Sequence, residues 1–82
     1  AKDVANREKH GVPLALAAEL DWDSALVWVD ARFAYDELRM SGLAARNTSL
    51  YYVAFVDYGE VLRIISLRPA NRREVMDYVE AF

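Results

Sequence analysis

The sequence predicts a single small α+β domain, in which an antiparallel four-stranded meander follows two short helices and precedes a third. Apolar and β-branched stretches at residues 25–30, 37–42, 50–57 and 61–67 are joined by short links, which favour hairpins over crossovers. Apolar residues near the end of the chain recur at helical spacing. The 82 residues, 55% of them hydrophobic, suffice for one core but not for two, so residues 1–82 are expected to form one domain.

Two short helices are expected before the sheet, over residues 1–10 and 13–20. Gly11 stands where a left-handed helix cap is needed, and Pro13 suits the first turn of the second helix. The segment Lys9–Pro13 is therefore expected to form the corner between these helices.

The first two predicted strands differ in pattern. Residues 25–30 are β-branched and aromatic, which predicts a strand buried on both faces. Residues 37–42 alternate, so that Leu38 and Met40 face one side of the sheet and the polar residues face the other.

The remaining elements are marked by their ends. Residues 47–49 form a turn, and Gly59 completes the hairpin between the third and fourth strands. Asn71 is the expected N-cap of the last helix, with Glu74 in the capping-box position. The predicted buried face of that helix consists of Val75, Met76, Val79 and Phe82.

Composition excludes several classes of protein. The chain has no cysteine and one histidine, so neither a disulfide scaffold nor a thiolate or His-rich metal site is expected. The longest apolar run, Leu50–Val56, is much shorter than the roughly 20 residues that span a bilayer. The sequence also shows no signal peptide. A soluble cytoplasmic protein is therefore expected, without a metal, a cofactor or a membrane partner.

Charge is unevenly distributed along the chain. The net charge is −3, but six of the acids lie between Glu19 and Glu37, where Arg32 is the one base. Four arginines and one acid lie between Arg63 and Glu74. The first segment could bind a basic partner, and the second segment could bind phosphate. Both segments could equally be solvated faces.

The polar residues suit metal-independent cleavage of RNA. The sequence contains no glycine-rich phosphate loop and no serine nucleophile elbow. Arginines, a few carboxylates, one histidine and several tyrosines remain. Attack of a 2′-hydroxyl on its adjacent phosphate needs a base, cations for the phosphoryl oxygens, and an acid for the leaving 5′-oxygen.

Three segments resemble one family in the same order along the chain. Lys9-His10-Gly11-Val12 resembles the K-H-G-V segment of the BrnT toxins, RelE-like ribonucleases of bacterial type II toxin–antitoxin pairs. Glu37-Leu38-Arg39 resembles that family's G-E-x-R segment. The run from Arg63 to Glu74 is similar to its signature R-I-I-S-A-R-K-A-x-x-R-E, which is the most specific of the three.

The resemblance implies a RelE/BrnT-like fold, a ribonuclease activity that inhibits growth, and a BrnA-like antitoxin partner. DNA would then be bound only indirectly, through the antitoxin. Together with the chemistry above, it assigns catalytic roles to Arg63, Arg68, Glu37, Arg39 and His10. It assigns RNA binding to Lys9, Arg72, Arg73 and Tyr52.

The chain departs from the family pattern at three places. The family's glycine before the glutamate is Asp36 here, and the lysine after the second signature arginine is Pro69. The family's first strand is missing before Ala1, so we expect the complete protein to begin earlier and to pair a fifth strand. The first two departures favour an alternative function, that of a catalytically weak antitoxin-binding or co-repressor module. An unrelated small α+β interaction domain is a third possibility.

Each assigned residue also has a purely structural explanation. Arg63 and Arg68 lie five positions apart, so they face opposite sides of a regular strand unless it ends or bulges near Ser66. Arg63 could form a cross-strand ion pair, and Arg39 could pair with Glu37. The others are explained as follows: His10 as a helix-end cation, Arg72 as a solvated helix residue, Arg73 as the i,i+4 partner of Asp77, and Tyr52 as a sheet aromatic.

Overall fold

The structure, a computed structural model, describes residues 11–30 and 38–82. Its elements are two 3₁₀ helices (Leu14–Glu19 and Trp22–Ser24), four strands, β1 (Leu26–Val29), β2 (Arg39–Arg46), β3 (Ser49–Asp57) and β4 (Leu62–Pro69), and helix α1 (Arg72–Ala81). The strands form one antiparallel sheet in the order β1-β2-β3-β4. The predicted meander and the helix that follows it are confirmed.

The segment before the sheet differs from the prediction. The helix predicted for residues 1–10 lies outside the described residues. In place of an α-helix over 13–20 there is a 3₁₀ helix of six residues, closed by bonds such as Leu16 N–H to Pro13 C=O at 3.1 Å. The backbone becomes extended again at Leu20, so the run is too short for α-helical propagation. Gly11 has the positive φ, 78°, expected of a left-handed residue.

The hydrophobic core lies between this 3₁₀ helix and one face of the sheet. Its buried members are Leu16, Ala17, Leu20, Ala44, Val53, Phe55 and Leu67. Trp22 closes one end: its indole N–H donates to the Ala17 carbonyl at 2.9 Å, and its ring packs edge-on against Phe55. This face of the sheet is called the core face below, and the opposite one the groove face.

Two predictions about the first strands were wrong. The β1 strand was expected to be buried on both faces, yet Val27, Trp28 and Val29 are 40–52% exposed. They are exposed because β1 is the edge strand and pairs only with β2 in the described sheet. The β2 strand begins at Arg39 and extends to Arg46, beyond the predicted end at residue 42, since the backbone pairs with β3 along its whole length.

The two hairpin turns follow the sequence signals. Arg46 pairs with Ser49, which leaves a two-residue loop in which Asn47 has a φ of 56°. Gly59 has a φ of 91°, and its N–H donates to the Asp57 carboxylate at 2.7 Å. A left-handed residue is therefore present where each turn needs one.

A β-bulge interrupts β4 at Ile65. Ala54 pairs with Ser66, but the next residue of β3, Phe55, pairs with Ile64, so Ile65 is an extra residue in its strand. After the bulge, each side chain of β4 lies on the face opposite to the one it would occupy in a regular strand. As a result, Arg63 and Arg68 lie on the same face of the sheet, the groove face.

Helix α1 begins as predicted but buries a different face. Both bonds of the capping box are present: Glu74 N–H donates to the Asn71 side chain at 2.8 Å, and Asn71 N–H donates to the Glu74 carboxylate at 2.9 Å. The stripe predicted to be buried, Val75, Met76, Val79 and Phe82, is 40–72% exposed. Glu74 and Tyr78, four residues apart, contact the rest of the chain instead, and the Tyr78 hydroxyl donates to the Ser24 carbonyl at 2.9 Å. Among the described residues, no helix is long and apolar enough to cross a membrane.

The buried position of Leu67 gives a test of the core. Leu67→Ala should destabilise the protein by about 3 kcal/mol, because the side chain is wholly buried and its removal leaves a cavity. Leu62→Ala, in the same strand at 37% exposure, should cost less than about 1.5 kcal/mol. Urea unfolding monitored by tryptophan fluorescence measures both, and equal losses would contradict this core.

Candidate functional site

An open groove of about 690 Å³ lies on the groove face of the sheet, next to the start of α1. It is lined by Trp28, Val29, Asp30, Ser41, Tyr52, Arg68 and Glu74. Four of these residues belong to the three strands β1 to β3, one to β4 and one to α1, while Asp30 follows β1 directly. The groove falls in the size range of sites that enclose small ligands, which is enough for a nucleotide unit.

The strand register places three arginines on this face. Arg39 pairs with Val56, and Val56 pairs with Arg63, so these three residues form one row across β2, β3 and β4. Tyr52 pairs with Arg68 in a second row nearer to α1. Residues directly opposite each other share a face, so Arg39, Arg63 and Arg68 all lie on the face opposite the core, where Val56 is itself buried.

Arg68 is the most firmly held of these side chains. Its Nη1 and Nη2 groups donate to the two carboxylate oxygens of Glu74 at 2.7 and 2.8 Å, a bidentate ion pair. Its Cζ atom lies 4.2 Å from the centre of the Tyr52 ring, within cation–π distance. The half-buried guanidinium is therefore fixed along one edge and over one face.

Tyr52 connects Arg68 to the other side of the groove. Its hydroxyl forms a 2.8 Å hydrogen bond with the hydroxyl of Ser41, which is buried. Its ring centre lies 6.4 Å from that of Trp28, which is 41% exposed. Partly exposed aromatic rings beside a cation offer stacking surfaces for unpaired bases together with a contact for phosphate.

The structure brings some of the predicted site residues together and separates others. Arg68 and Tyr52 meet in the groove, and Arg39 and Arg63 form a row on the same face. Arg72 and Arg73 are exposed at the start of α1, where Arg73 pairs with Asp77 at 3.2 Å as expected. Lys9, His10 and Glu37 lie outside the described residues.

One protein family matches most of the chain. Residues 1–74 match the family described as the ribonuclease toxin BrnT of type II toxin–antitoxin systems. The chain belongs to the BrnT family. The match spans the arginine face, the groove and the first turn of α1, and membership implies a ribonuclease toxin with an antitoxin partner. No curated protein and no solved structure gave a match.

Five groove residues of this BrnT-family chain were not assigned to the site from sequence: Trp28, Val29, Asp30, Ser41 and Glu74. Glu74 was interpreted as a capping residue alone, and its approach to Arg68 depends on where α1 sits relative to the sheet. Trp28 was interpreted as core, and Ser41 as one of the polar residues of an alternating strand. The alternation of Trp28 with Asp30, and of Arg39 with Ser41, is the signal that could have placed them on one polar face.

The ion pair shifts the protonation of both partners. The hydrogen bonds to Glu74 raise the pKa of Arg68 above its ordinary value, although partial burial opposes the shift. The same hydrogen bonds lower the pKa of the Glu74 carboxyl, with a smaller contribution from the Asn71 backbone N–H. Both partners thus remain charged over the physiological range.

The lowered pKa of Glu74 predicts a pH dependence of stability. A depressed carboxyl pKa stabilises the fold above the unfolded-state pKa, about 4.3 for glutamate, and this contribution disappears as the pH falls through the folded-state value. The difference in free energy of unfolding between the protein and Glu74→Gln should therefore shrink below about pH 4.3. In the Arg68→Ala background the same difference should be small at every pH. Urea unfolding from pH 7 to pH 3 tests this, and a difference that grows on acidification would contradict it.

Proposed function

We propose that the protein is a metal-independent endoribonuclease that uses the arginines of the groove face to stabilise the phosphoryl group during cleavage. The observation that carries the proposal is the bulge at Ile65, because it places Arg63 on the same face as Arg68, which lies against the Tyr52 ring. A regular strand would have directed one of these cations into the core face. Planar guanidinium groups suit the pentacoordinate phosphate, whose equatorial oxygens carry the developing charge.

In the proposed reaction the 2′-oxygen forms a bond to the adjacent phosphorus while the bond to the 5′-oxygen breaks. The products are a 2′,3′-cyclic phosphate and a 5′-hydroxyl. Arg63, Arg68 and Arg39 supply the cations, and Glu37 is assigned as the base and His10 as the acid. Tyr52 contributes a stacking surface, and Lys9, Arg72 and Arg73 contact the RNA backbone.

We place this activity in the cytoplasm, where cleavage of RNA would inhibit translation and growth. A BrnA-like antitoxin would neutralise the protein and would supply any contact with DNA. The proposed fold of the domain is RelE-like. Family membership removes the alternative of an unrelated interaction domain.

A catalytically weak antitoxin-binding module is the second candidate function. It is favoured by the contact between Arg68 and Glu74, since a carboxylate already occupies one edge of the cation. Asp36 and Pro69, which replace a glycine and a lysine of the family pattern, act in the same direction. Purified protein without antitoxin, incubated with RNA, distinguishes the two functions directly.

Arginine substitutions test the catalytic assignment. Arg63→Ala should lower the rate of RNA cleavage by about 100-fold, equivalent to about 3 kcal/mol of transition-state stabilisation, because one preorganised donor is lost. Arg46→Ala is the matched control: Arg46 lies in β2 of the same sheet but pairs with Glu19 at 2.9 Å, on the side of the 3₁₀ helix. The rates come from single-turnover cleavage of a fluorescent RNA. Undiminished cleavage by Arg63→Ala, or equal losses in both variants, would refute the assignment.

The uneven charge predicts how the antitoxin associates. We expect acidic antitoxin groups opposite Arg63, Arg68 and Arg72, and basic groups opposite the segment from Glu19 to Glu37. Complementary charge mainly accelerates encounter and is screened beyond about 8 Å at physiological salt. The association rate should therefore fall as salt rises, while the dissociation rate changes little. Stopped-flow mixing over a salt series measures both rates, and an association rate independent of salt would show that charge has no part in recognition.

A further inference from the structure

We propose that Glu74 is a positioning residue: it fixes the Arg68 guanidinium so that the edge formed by Nε and Nη2 faces a phosphate in the groove. The inference deepens the proposed function and depends on it for the identity of the ligand. It goes beyond the capping role of Glu74, because the same carboxylate serves the helix and the cation.

The hydrogen-bond donors of Arg68 support this orientation. A guanidinium carries five N–H groups. Nη1 and Nη2 each direct one toward Glu74, at 2.7 and 2.8 Å, and the second N–H of Nη1 points to the Pro69 carbonyl at 3.3 Å. Within the described part of the chain, these contacts leave the Nε–H and the outer N–H of Nη2. These two N–H bonds lie side by side and form a parallel fork, which matches two oxygens of a phosphate.

The remaining freedom of the guanidinium is limited by its neighbours. The Tyr52 ring covers one face at 4.2 Å, so the plane of the fork is set by the sheet. Glu74 is itself fixed by the backbone N–H of Asn71 at 2.9 Å, within the capping box of α1. The backbone at the helix start therefore holds the Glu74 carboxylate, and this carboxylate holds the Arg68 guanidinium.

This arrangement separates the effect of Glu74 on binding from its effect on catalysis. Its negative charge opposes the approach of a polyanion, so removing the charge should leave RNA affinity equal or higher. Its geometry holds the fork in place, so removing the carboxylate should let the guanidinium rotate away from the reacting phosphate. A positioning role thus predicts a lower kcat without a higher KM.

Glu74→Gln and Asn71→Ala form the matched pair of variants for the kinetic test. Glutamine is accepted at the capping-box position but cannot bind the guanidinium in a bidentate manner. Asn71→Ala removes the side-chain cap and leaves the carboxylate and its ion pair. We expect kcat to fall about 10-fold for Glu74→Gln, with KM unchanged or lower, and both constants to be retained by Asn71→Ala. An unchanged kcat in folded Glu74→Gln, or the same loss in both variants, would overturn the proposal.

A spectroscopic test does not depend on cleavage. Because the guanidinium lies over the Tyr52 ring, the Arg68 Hε resonance should be shifted upfield in the wild-type protein and should move on addition of uncleavable 2′-O-methyl RNA. The upfield shift should be lost in Glu74→Gln and kept in Asn71→Ala. A shift that persists in Glu74→Gln overturns the positioning role. If the wild-type protein cleaves no RNA but shows these spectra, the proposed function fails while the positioning of Arg68 stands.

Discussion

The extra residue at Ile65 is the constraint on which the groove depends. Ile64 and Leu67 are three positions apart, yet both contact the core, and Arg63 and Arg68 are five positions apart, yet both lie on the opposite face. In a regular strand, two residues an odd number of positions apart face opposite sides. Neither pair could therefore share a face in a regular strand. A single bulge satisfies both, because it reverses the alternation between Ile64 and Ser66. The same residue that keeps the strand's apolar side chains in the core therefore aligns its cations on the opposite face.

Helix α1 makes hydrogen bonds to the sheet and to the 3₁₀ segment, which makes the helix start part of the site. None of its residues is buried, and these hydrogen bonds include the bidentate pair of Glu74 with Arg68 and the bond from Tyr78 to Ser24. Glu74 is half-buried, so its charge-assisted bonds are less screened than those of an exposed pair such as Arg73 and Asp77. The Glu74 carboxylate therefore connects the start of the helix to the guanidinium in the groove.

The sequence was sufficient to predict the elements that local rules determine. The meander, the turn at Gly59 and the capping box of Asn71 depend on short-range patterns, and all three are present. Tertiary placement was not predictable in the same way. The apolar stripe of α1 indicated a buried face, but polar contacts of Glu74 and Tyr78 determine which side of the helix meets the domain. The bulge was recognised as a condition for joining Arg63 and Arg68, but no residue type near Ser66 requires it. Its cause is the competition between the two faces of β4, which only the assembled sheet reveals.

Part of the separation of charge along the chain becomes a separation across the sheet. Glu19, Asp21 and Asp23 belong to the segment that carries the 3₁₀ helices, and Glu19 pairs with Arg46 on that side. The arginine row and Arg68 lie on the opposite face, where Asp30 and Glu74 are the acids of the groove. Because a polyanion responds to the local potential more than to the net charge, a protein with a net charge of −3 can still attract RNA to this face. The carboxylates of Asp30 and Glu74 repel any polyanion that binds without a specific contact. In the proposed function, a phosphate gains most where the fixed fork of Arg68 meets its oxygens. Orientation, more than total charge, would then decide which part of an RNA is held.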